Sequence, residues 1–321
     1  MSANPSFPWP RVAVMGAGAV GCYFGGMLAR AGATVTLIGR RAHVEAIAQE
    51  GLFMESIHFQ QSVAVAASTQ ADAARDADLV LFCVKATDSE TAARALAPHL
   101  APGALVVSLQ NGVANVERIR AAAGIEAIPA VVYVAASMPA PGRMKHDGRG
   151  DLVIGQPQRG PAGDARRGKD LERVAKCFET AGVPCRISEN IEGELWTKLV
   201  WNCAGNALTA LARANYGQVA RNELGRQTLI AAANEAIAVA RAAGVHIPPL
   251  DLVEASLKLA KDLGEATSST AQDVARGKRT EIDTLNGYIA RRGAELGVPT
   301  PVNQTLYALV KLLEENFERR G

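Results

Sequence analysis

Apolar and polar positions divide the chain into two regimes. In the first, short apolar runs alternate with longer mixed segments: Arg11 to Met15 (RVAVM), Ala33 to Ile38 (ATVTLI), Asp78 to Val84 (DLVLFCV), Ala104 to Leu109 (ALVVSL) and Ile128 to Ala136 (IPAVVYVAA). Runs this short, rich in Val and Ile and separated by segments long enough for a helix, predict strands of a parallel sheet covered on both faces. Leu152 to Ile154 adds a β-extension after a Pro- and Gly-rich stretch around 139 to 150. From about Ile187 the strand-like runs stop. Long Ala- and Leu-rich segments come next, broken at Gly217, Gly244 to Pro249, Gly264 and Gly297 to Pro301, and these predict helices. The expected architecture is a Rossmann-type doubly wound parallel sheet of the α/β class over residues 1–186 and an all-α domain over 187–321.

Composition narrows the function. A chain of 321 residues with 48% hydrophobic and 21% charged residues has the makings of two folded domains, not of a disordered protein. Its 34 Lys and Arg against 32 Asp and Glu leave a net charge of +2, too little to make nucleic acid the expected partner. The five Cys include no C-x-x-C pair, a usage that fits a cytoplasmic protein. The five His are scattered, none at helical spacing from another His or a Cys, so no metal site is expected. The N-terminal MSANPSFPWPR lacks the basic and apolar regions of a signal peptide and reads as a loose leader. Val12 to Ala29 is uncharged for 18 residues, but its five glycines have a better explanation than a membrane span, and no membrane partner is expected.

That explanation is chemical. The first run is followed at once by Gly16-Ala-Gly18-Ala-Val-Gly21, then by a helix-forming stretch that stops at Gly32. In a strand, turn and helix of this kind, Gly16 permits the tight turn, Gly18 lets the backbone approach a pyrophosphate, and Gly21 lets the helix press on the strand. The helix N-terminus then faces the anion. The second strand ends in Gly39-Arg40-Arg41 where an NAD site carries a carboxylate for the ribose hydroxyls. Guanidinium groups grip a 2′-phosphate, so the expected cofactor is NADP(H), with Arg40 as the first choice of ligand and Arg41 as the second. Lys85 and Asn111 stand at the polar ends of two further strands, where an open parallel sheet binds its ligands.

In the second half, Lys198, Asn202 and Asn206 are spaced four apart in ELWTKLVWNCAGNAL. On a helix they share one face, while Leu195, Leu199, Val200, Trp201, Ala204 and Leu208 make the rest apolar. Buried amides need partners, so this polar row is expected to face a ligand; the plain alternative is a surface stripe with a Glu194 to Lys198 ion pair. Ser269 with Gln272 matches a capping box, which predicts a helix N-cap at Ser269. Glu281, taken alone, reads as a solvated helix residue.

Together these features resemble ketopantoate reductase (2-dehydropantoate 2-reductase) over nearly the whole chain. The resemblance is carried by GAGAVG at the N-terminus, Arg40, Lys85, the QNG at 110 to 112, ELWTKLVWNCAGNALTAL from 194 to 211, and SSTAQDVARGKRTEIDTLNGYI from 268 to 289. It implies that Lys198 is the general acid and that Glu281 contacts the cofactor and helps organise the site. It further implies substrate contacts from Asn202, Asn206 and Ser269, with Asn215 as the nearest match to a further asparagine, and cofactor contacts from Lys85 and Asn111. Ala136 falls where the family has polar groups beside the nicotinamide: the family's Thr-Thr-His-Gly-Ala strand end is replaced here by Val132-Tyr-Val-Ala-Ala136. The implied activity is NADPH-dependent reduction of ketopantoate to pantoate, a step of pantothenate biosynthesis. The alternatives are a reductase for another small 2-keto acid and a non-catalytic NADP-sensing protein of the same fold. The Ala-rich helices leave room for a homodimer.

Overall fold

The computed structural model describes residues 7–156 and 165–318, so the first six residues of the expected leader lie outside it. Contacts along the backbone divide the chain into two compact units, Met1–Ile191 and Glu192–Gly321. The elements of the first are β1 (Val12–Met15), α1 (Ala19–Arg30), β2 (Val35–Ile38), α2 (Arg41–Glu50), β3 (Leu52–Ser56), β4 (Phe59–Val63), β5 (Ala66–Ser68), β6 (Leu79–Phe82), α3 (Ser89–Leu96), β7 (Leu105–Ser108), α4 (Asn115–Ala123), β8 (Ala127–Ala140), β9 (Arg143–Gly155), α5 (Ala165–Thr180) and β10 (Cys185–Ser188).

Six of these strands form the parallel sheet, in the order β5, β2, β1, β6, β7, β8. The chain leaves β1 to one side, then returns to build on the other, so the order reverses between β1 and β6; that is the doubly wound arrangement, with its ligand crevice at the carboxyl ends of those two strands. Alternation along the strands sorts the core into two faces. Val12, Val14, Leu37, Leu79 and Leu81 pack with Phe24, Leu28 and Phe178, while Ala13, Ile38, Val80 and Phe82 pack on the other side with Leu96 and Ile119.

The sheet does not stop where the apolar runs do. β8 continues past its parallel pairing with β7 and turns antiparallel to β9, which lies between β8 and both β3 and β10; the whole sheet has ten strands. The Pro- and Gly-rich stretch around 139–150 is therefore mostly strand. Its irregular residues sit where the ladder is broken: Pro139 falls in the register shift between Ser137 and Ala140, where no backbone donor is required of it. Gly148 and Gly150 adopt φ of 155° and 126° around Arg149 at φ 56°, backbone that a chain of ordinary residues would resist.

His146 holds this irregular segment. It is 2% exposed. Its Nε2 donates to the Arg149 carbonyl at 2.7 Å and its Nδ1 meets the Ser56 hydroxyl of β3 at 3.0 Å. The ring packs against Tyr23 of α1, with centroids 4.4 Å apart. One imidazole thus ties β9 to β3 and to α1.

The second unit is helical: α6 (Ile191–Ala212), whose first residue is still counted with the first unit, α7 (Tyr216–Arg221), α8 (Glu223–Ala242), α9 (Leu252–Leu263), α10 (Ser269–Ala275), α11 (Asn286–Leu296) and α12 (Pro301–Glu318). An apolar cluster of Ala207, Ala232, Ile282, Leu306 and Val310 joins α6, α8 and α12. A buried polar chain crosses it. Asn286 Nδ2 donates to the Cys203 carbonyl and to Asn303 Oδ1, both at 3.0 Å. Asn303 donates in turn to the Ala232 carbonyl at 3.0 Å and to Glu235 at 2.8 Å. The Glu235 carboxylate also receives the Val302 and Asn303 N–H groups, capping α12 from outside its own sequence. All five cysteines are free thiols. Among the described residues no helix is long and apolar enough to cross a membrane.

His146→Ala is expected to lower the unfolding free energy by about 2 to 4 kcal/mol, because it removes two buried hydrogen bonds and an aromatic contact together. Denaturant titration of both proteins measures it. A loss below about 0.5 kcal/mol, the range of ordinary surface changes, would show that β9 holds its shape without the imidazole.

Candidate functional site

The turn between β1 and α1 is built by exclusion. A Cβ at Gly16, whose φ is +115°, would lie 2.6 Å from the Val84 nitrogen, and one at Gly21 would lie 2.1 Å from the Gly16 carbonyl oxygen and 2.8 Å from Val14 Cγ1. Both positions are closed to any side chain. Gly18 differs: nothing comes within 4 Å of where its Cβ would stand. It is the N-cap of α1 with no side chain to cover the helix end, and no acidic residue occupies the first turn. The open position and the uncovered N–H groups together form a cradle for an anion. The residues present therefore fit a dinucleotide pyrophosphate.

At the end of β2, Arg40 is exposed and is the N-cap of α2. Arg41 opens the helix itself, with its guanidinium 3.9 Å from the Glu45 carboxylate one turn on. Arg40 thus stands at the strand end proper, and Arg41 already shares its charge with an acid. Lys85 follows β6 as the N-cap of a short 3-10 turn over Ala86–Asp88 and is half-buried. Asn111 follows β7, its carbonyl accepting from Asn115 Nδ2 at 2.7 Å, with Gly112 at φ 101° completing the turn. Gln110 shows in the sequence only as part of the QNG motif, which assigns it no role of its own. It is 5% exposed and joins the ends of β6 and β7. Its amide donates to the Val84 carbonyl at 2.9 Å and to Ser89 Oγ at 2.7 Å, and its carbonyl accepts from Ser108 Oγ at 3.0 Å. The signal was a polar residue directly after an apolar strand. Ala136 is placed on the antiparallel half of β8, opposite His146 and beside a register shift.

In the second unit, Lys198, Asn202 and Asn206 all lie on α6, a helix of 22 residues. Leu199, Val200, Cys203, Ala204 and Ala207 are buried around them. Asn206 is 3% exposed, whereas Lys198 and Asn202 are half-buried. The Asn206 side chain accepts from the Tyr216 hydroxyl at 2.8 Å. The hydroxyls of Thr209 and Ser268 lie 2.7 Å apart and both approach the Asn206 carbonyl, at 3.0 and 3.1 Å.

Two sequence expectations change here. The N-cap of α10 is Ser268, not Ser269: Ser268 has extended backbone and its Oγ accepts from the Ala271 N–H at 3.0 Å. Ser269 is already helical and exposed. In a pair of adjacent serines the residue still in extended conformation takes the cap, because its side chain can reach the third N–H. Glu281 is not in a helix either. It heads the 3-10 turn Ile282–Thr284 and is half-buried. The flanking residues pin that turn. The Thr280 N–H and hydroxyl both donate to Glu314 of α12, at 2.7 and 2.6 Å. Asp283 accepts from Tyr307 at 2.6 Å and from Lys311 at 3.0 Å. Burial pushes the Asp283 carboxyl up, but those two hydrogen bonds and the Lys311 and Arg291 charges outweigh it and hold it below its ordinary value.

Asn215 is the N-cap of α7, in a reciprocal capping box with Gln218; its amide also donates to Glu265 at 2.8 Å. Both ends of that side chain are engaged in local structure, which gives it an occupation apart from any ligand.

Comparison with known proteins places these features in one group. The family model described as ketopantoate reductase PanE/ApbA matches residues 12–159, and its C-terminal counterpart matches 190–314. The 2-dehydropantoate 2-reductase of Pyrococcus abyssi is 33% identical over 94% of this chain and 97% of its own length. Among solved structures, the PanE/ApbA family ketopantoate reductase of Ralstonia eutropha is 49% identical, with a TM-score of 0.89 over 96% of this chain and 99% of that one. The 2-dehydropantoate 2-reductase of Geobacter metallireducens is 29% identical, with a TM-score of 0.85 over 94% and 99%.

The glycine turn supplies a paired prediction. Gly18→Ala should fold with a melting temperature near that of the unsubstituted protein yet bind NADPH at least about tenfold more weakly, because the added methyl enters only the anion cradle. Gly21→Ala should melt several degrees lower, since its methyl meets backbone. Thermal melts and dinucleotide titration of both variants check it; equal melting temperatures would contradict the division of labour.

Proposed function

The chain belongs to the ketopantoate reductase family, an oxidoreductase family, and from that premise we propose that it reduces 2-dehydropantoate (ketopantoate) to pantoate with NADPH as the hydride donor. The observation that carries the reading is the row of Lys198, Asn202 and Asn206 along one face of an otherwise apolar helix.

Reducing a 2-keto acid requires hydride at the ketone carbon and a proton at its oxygen. When bound at the glycine turn, the reduced nicotinamide supplies the hydride. Gly16, Gly18 and Gly21 shape the cradle for its pyrophosphate; Arg40 binds the 2′-phosphate, a role for which an exposed guanidinium at the end of β2 is suited. Lys85 and Asn111, at the ends of β6 and β7, contact the cofactor further along. Lys198, as an ammonium, polarises the ketone and delivers the proton to the forming alkoxide. Asn202 and Asn206 hydrogen-bond the polar groups of the acid and hold the ketone in register with that amine. Ser269, exposed at the head of α10, is a further substrate contact, and Glu281, on its pinned turn, contacts the cofactor and orders the site.

A second reading keeps the chemistry and changes the acid. It is favoured by Val132 to Ala136, which offers no hydroxyl or imidazole except the Tyr133 phenol where the family pattern is Thr-Thr-His-Gly-Ala. A panel of small 2-keto acids beside ketopantoate decides between the two. The cytoplasm, where NADPH is available, is the proposed location.

Lys198→Ala should lower turnover with ketopantoate by about 10² or more, the usual scale for a general acid; the loss of NADPH absorbance reads it out. An unchanged rate would remove Lys198 from the mechanism. Arg40→Ala should raise KM for NADPH by about tenfold and leave that for NADH nearly as it was, since only the 2′-phosphate is lost as a partner. Equal effects on both dinucleotides would place the phosphate elsewhere.

A further inference from the structure

Tyr216 has no part in the proposed reduction, yet it is fastened to a residue on which that reduction depends. Its hydroxyl donates to Asn206 Oδ1 at 2.8 Å. Its ring lies so close to α6 that a Cβ at Gly205 would come within 2.6 Å of Cε1. Two backbone bonds hold it from the other side, Tyr216 N–H to the Ala266 carbonyl at 3.0 Å and Gly217 N–H to the Gly264 carbonyl at 2.7 Å. Burial pushes the phenol up, so it remains a donor throughout the neutral range.

An asparagine amide has an accepting end and a donating end of nearly the same shape, and an unanchored one can present either. Here the accepting end is taken. Turning the amide over would let the phenolic oxygen accept from Nδ2, but would take from the buried O–H the acceptor it has now. With Oδ1 engaged by the phenol, the Nδ2 amide N–H groups are the part of Asn206 not occupied by Tyr216. We propose that Tyr216 is a positioning residue that locks the Asn206 amide with its donors toward the substrate, so that the site favours a ligand oxygen that accepts, such as a carboxylate, over a group that donates. This rests on the reading of Asn206 as a substrate contact. It also gives the second half of the chain a selector that is independent of the proton donor: Lys198 acts on the ketone, whereas the Tyr216 and Asn206 pair acts on what flanks it.

The test is a cycle of Tyr216→Phe, Asn206→Ala and the double variant in the full chain, assayed with ketopantoate and with the corresponding 2-keto amide. Tyr216→Phe removes one oxygen and keeps the ring on Gly205. It should raise KM for the acid about tenfold with kcat changed less than about threefold, and should shrink the preference for acid over amide by a similar factor. In the Asn206→Ala background it should do nothing further, because it acts only through that amide. An unaltered KM, an equal effect in both backgrounds, or a Tyr216→Phe protein that no longer folds would overturn the proposal, the last by making the tyrosine structural. Failure of the parent reading looks different: the unsubstituted enzyme is then inert toward ketopantoate, or Asn206→Ala matches it, and the inference falls with that contact.

Discussion

Helix α1 can lie against β1 and the end of β6 only because position 21 carries no side chain. Any methyl there would meet the Gly16 carbonyl and the Val14 side chain, and the helix would have to move outward, taking its N-terminus with it. The approach of helix to strand and the aim of the helix end are thus one constraint, not two. The remainder of the first unit is consistent with it. The sheet order reverses beside this turn, and Gln110 closes the neighbouring strand ends with three hydrogen bonds. His146 then couples α1, through Tyr23, to the long β8 and β9 ribbon on the far part of the sheet.

The second unit solves another problem. A helix apolar on nearly every side is held by forces that have little directionality, and hydrophobic burial alone would leave α6 free to turn about its own axis. Directional bonds remove that freedom. Asn286 grips the Cys203 carbonyl in the middle of the helix, and Ser268, ahead of α10, donates to the Asn206 carbonyl one turn later. The polar partners cost desolvation, which their mutual bonds offset, and they specify one rotation of the helix over the others. In the same way, Glu314 and Lys311 on α12 fix the turn bearing Glu281, through Thr280 and Asp283.

Elements whose burial is simple were legible in the sequence. The five central strands announce themselves as Val- and Ile-rich runs, and the glycine turn and the four-residue spacing on α6 were readable because each is set by local geometry. What escaped was non-local. β3 and β4 carry polar residues such as Gln60, Gln61 and Ser62 on an exposed edge, so no apolar alternation marks them. β9 is broken by glycines that only its pairing with β8 and β3 makes sense of. At the site, the cap fell to Ser268 because backbone conformation, not residue type, selects between adjacent serines. Tyr216 could not be singled out at all, since nothing in a linear pattern says that a residue ten positions beyond Asn206 turns back to meet it.

Lys198, Asn202 and Asn206 belong to a single stiff rod, and successive members are set about 6 Å apart along its axis by the rise of 1.5 Å per residue. Backbone movement cannot stretch or compress that interval without breaking helical bonds. The row is a fixed gauge. If the row holds the substrate as proposed, accommodation of a bulkier or shorter acid comes from the pieces that surround it, the head of α7 and the loop before α10, where a single replacement alters room without disturbing the scale. Divergence among enzymes sharing this rod is accordingly to be sought in its neighbours.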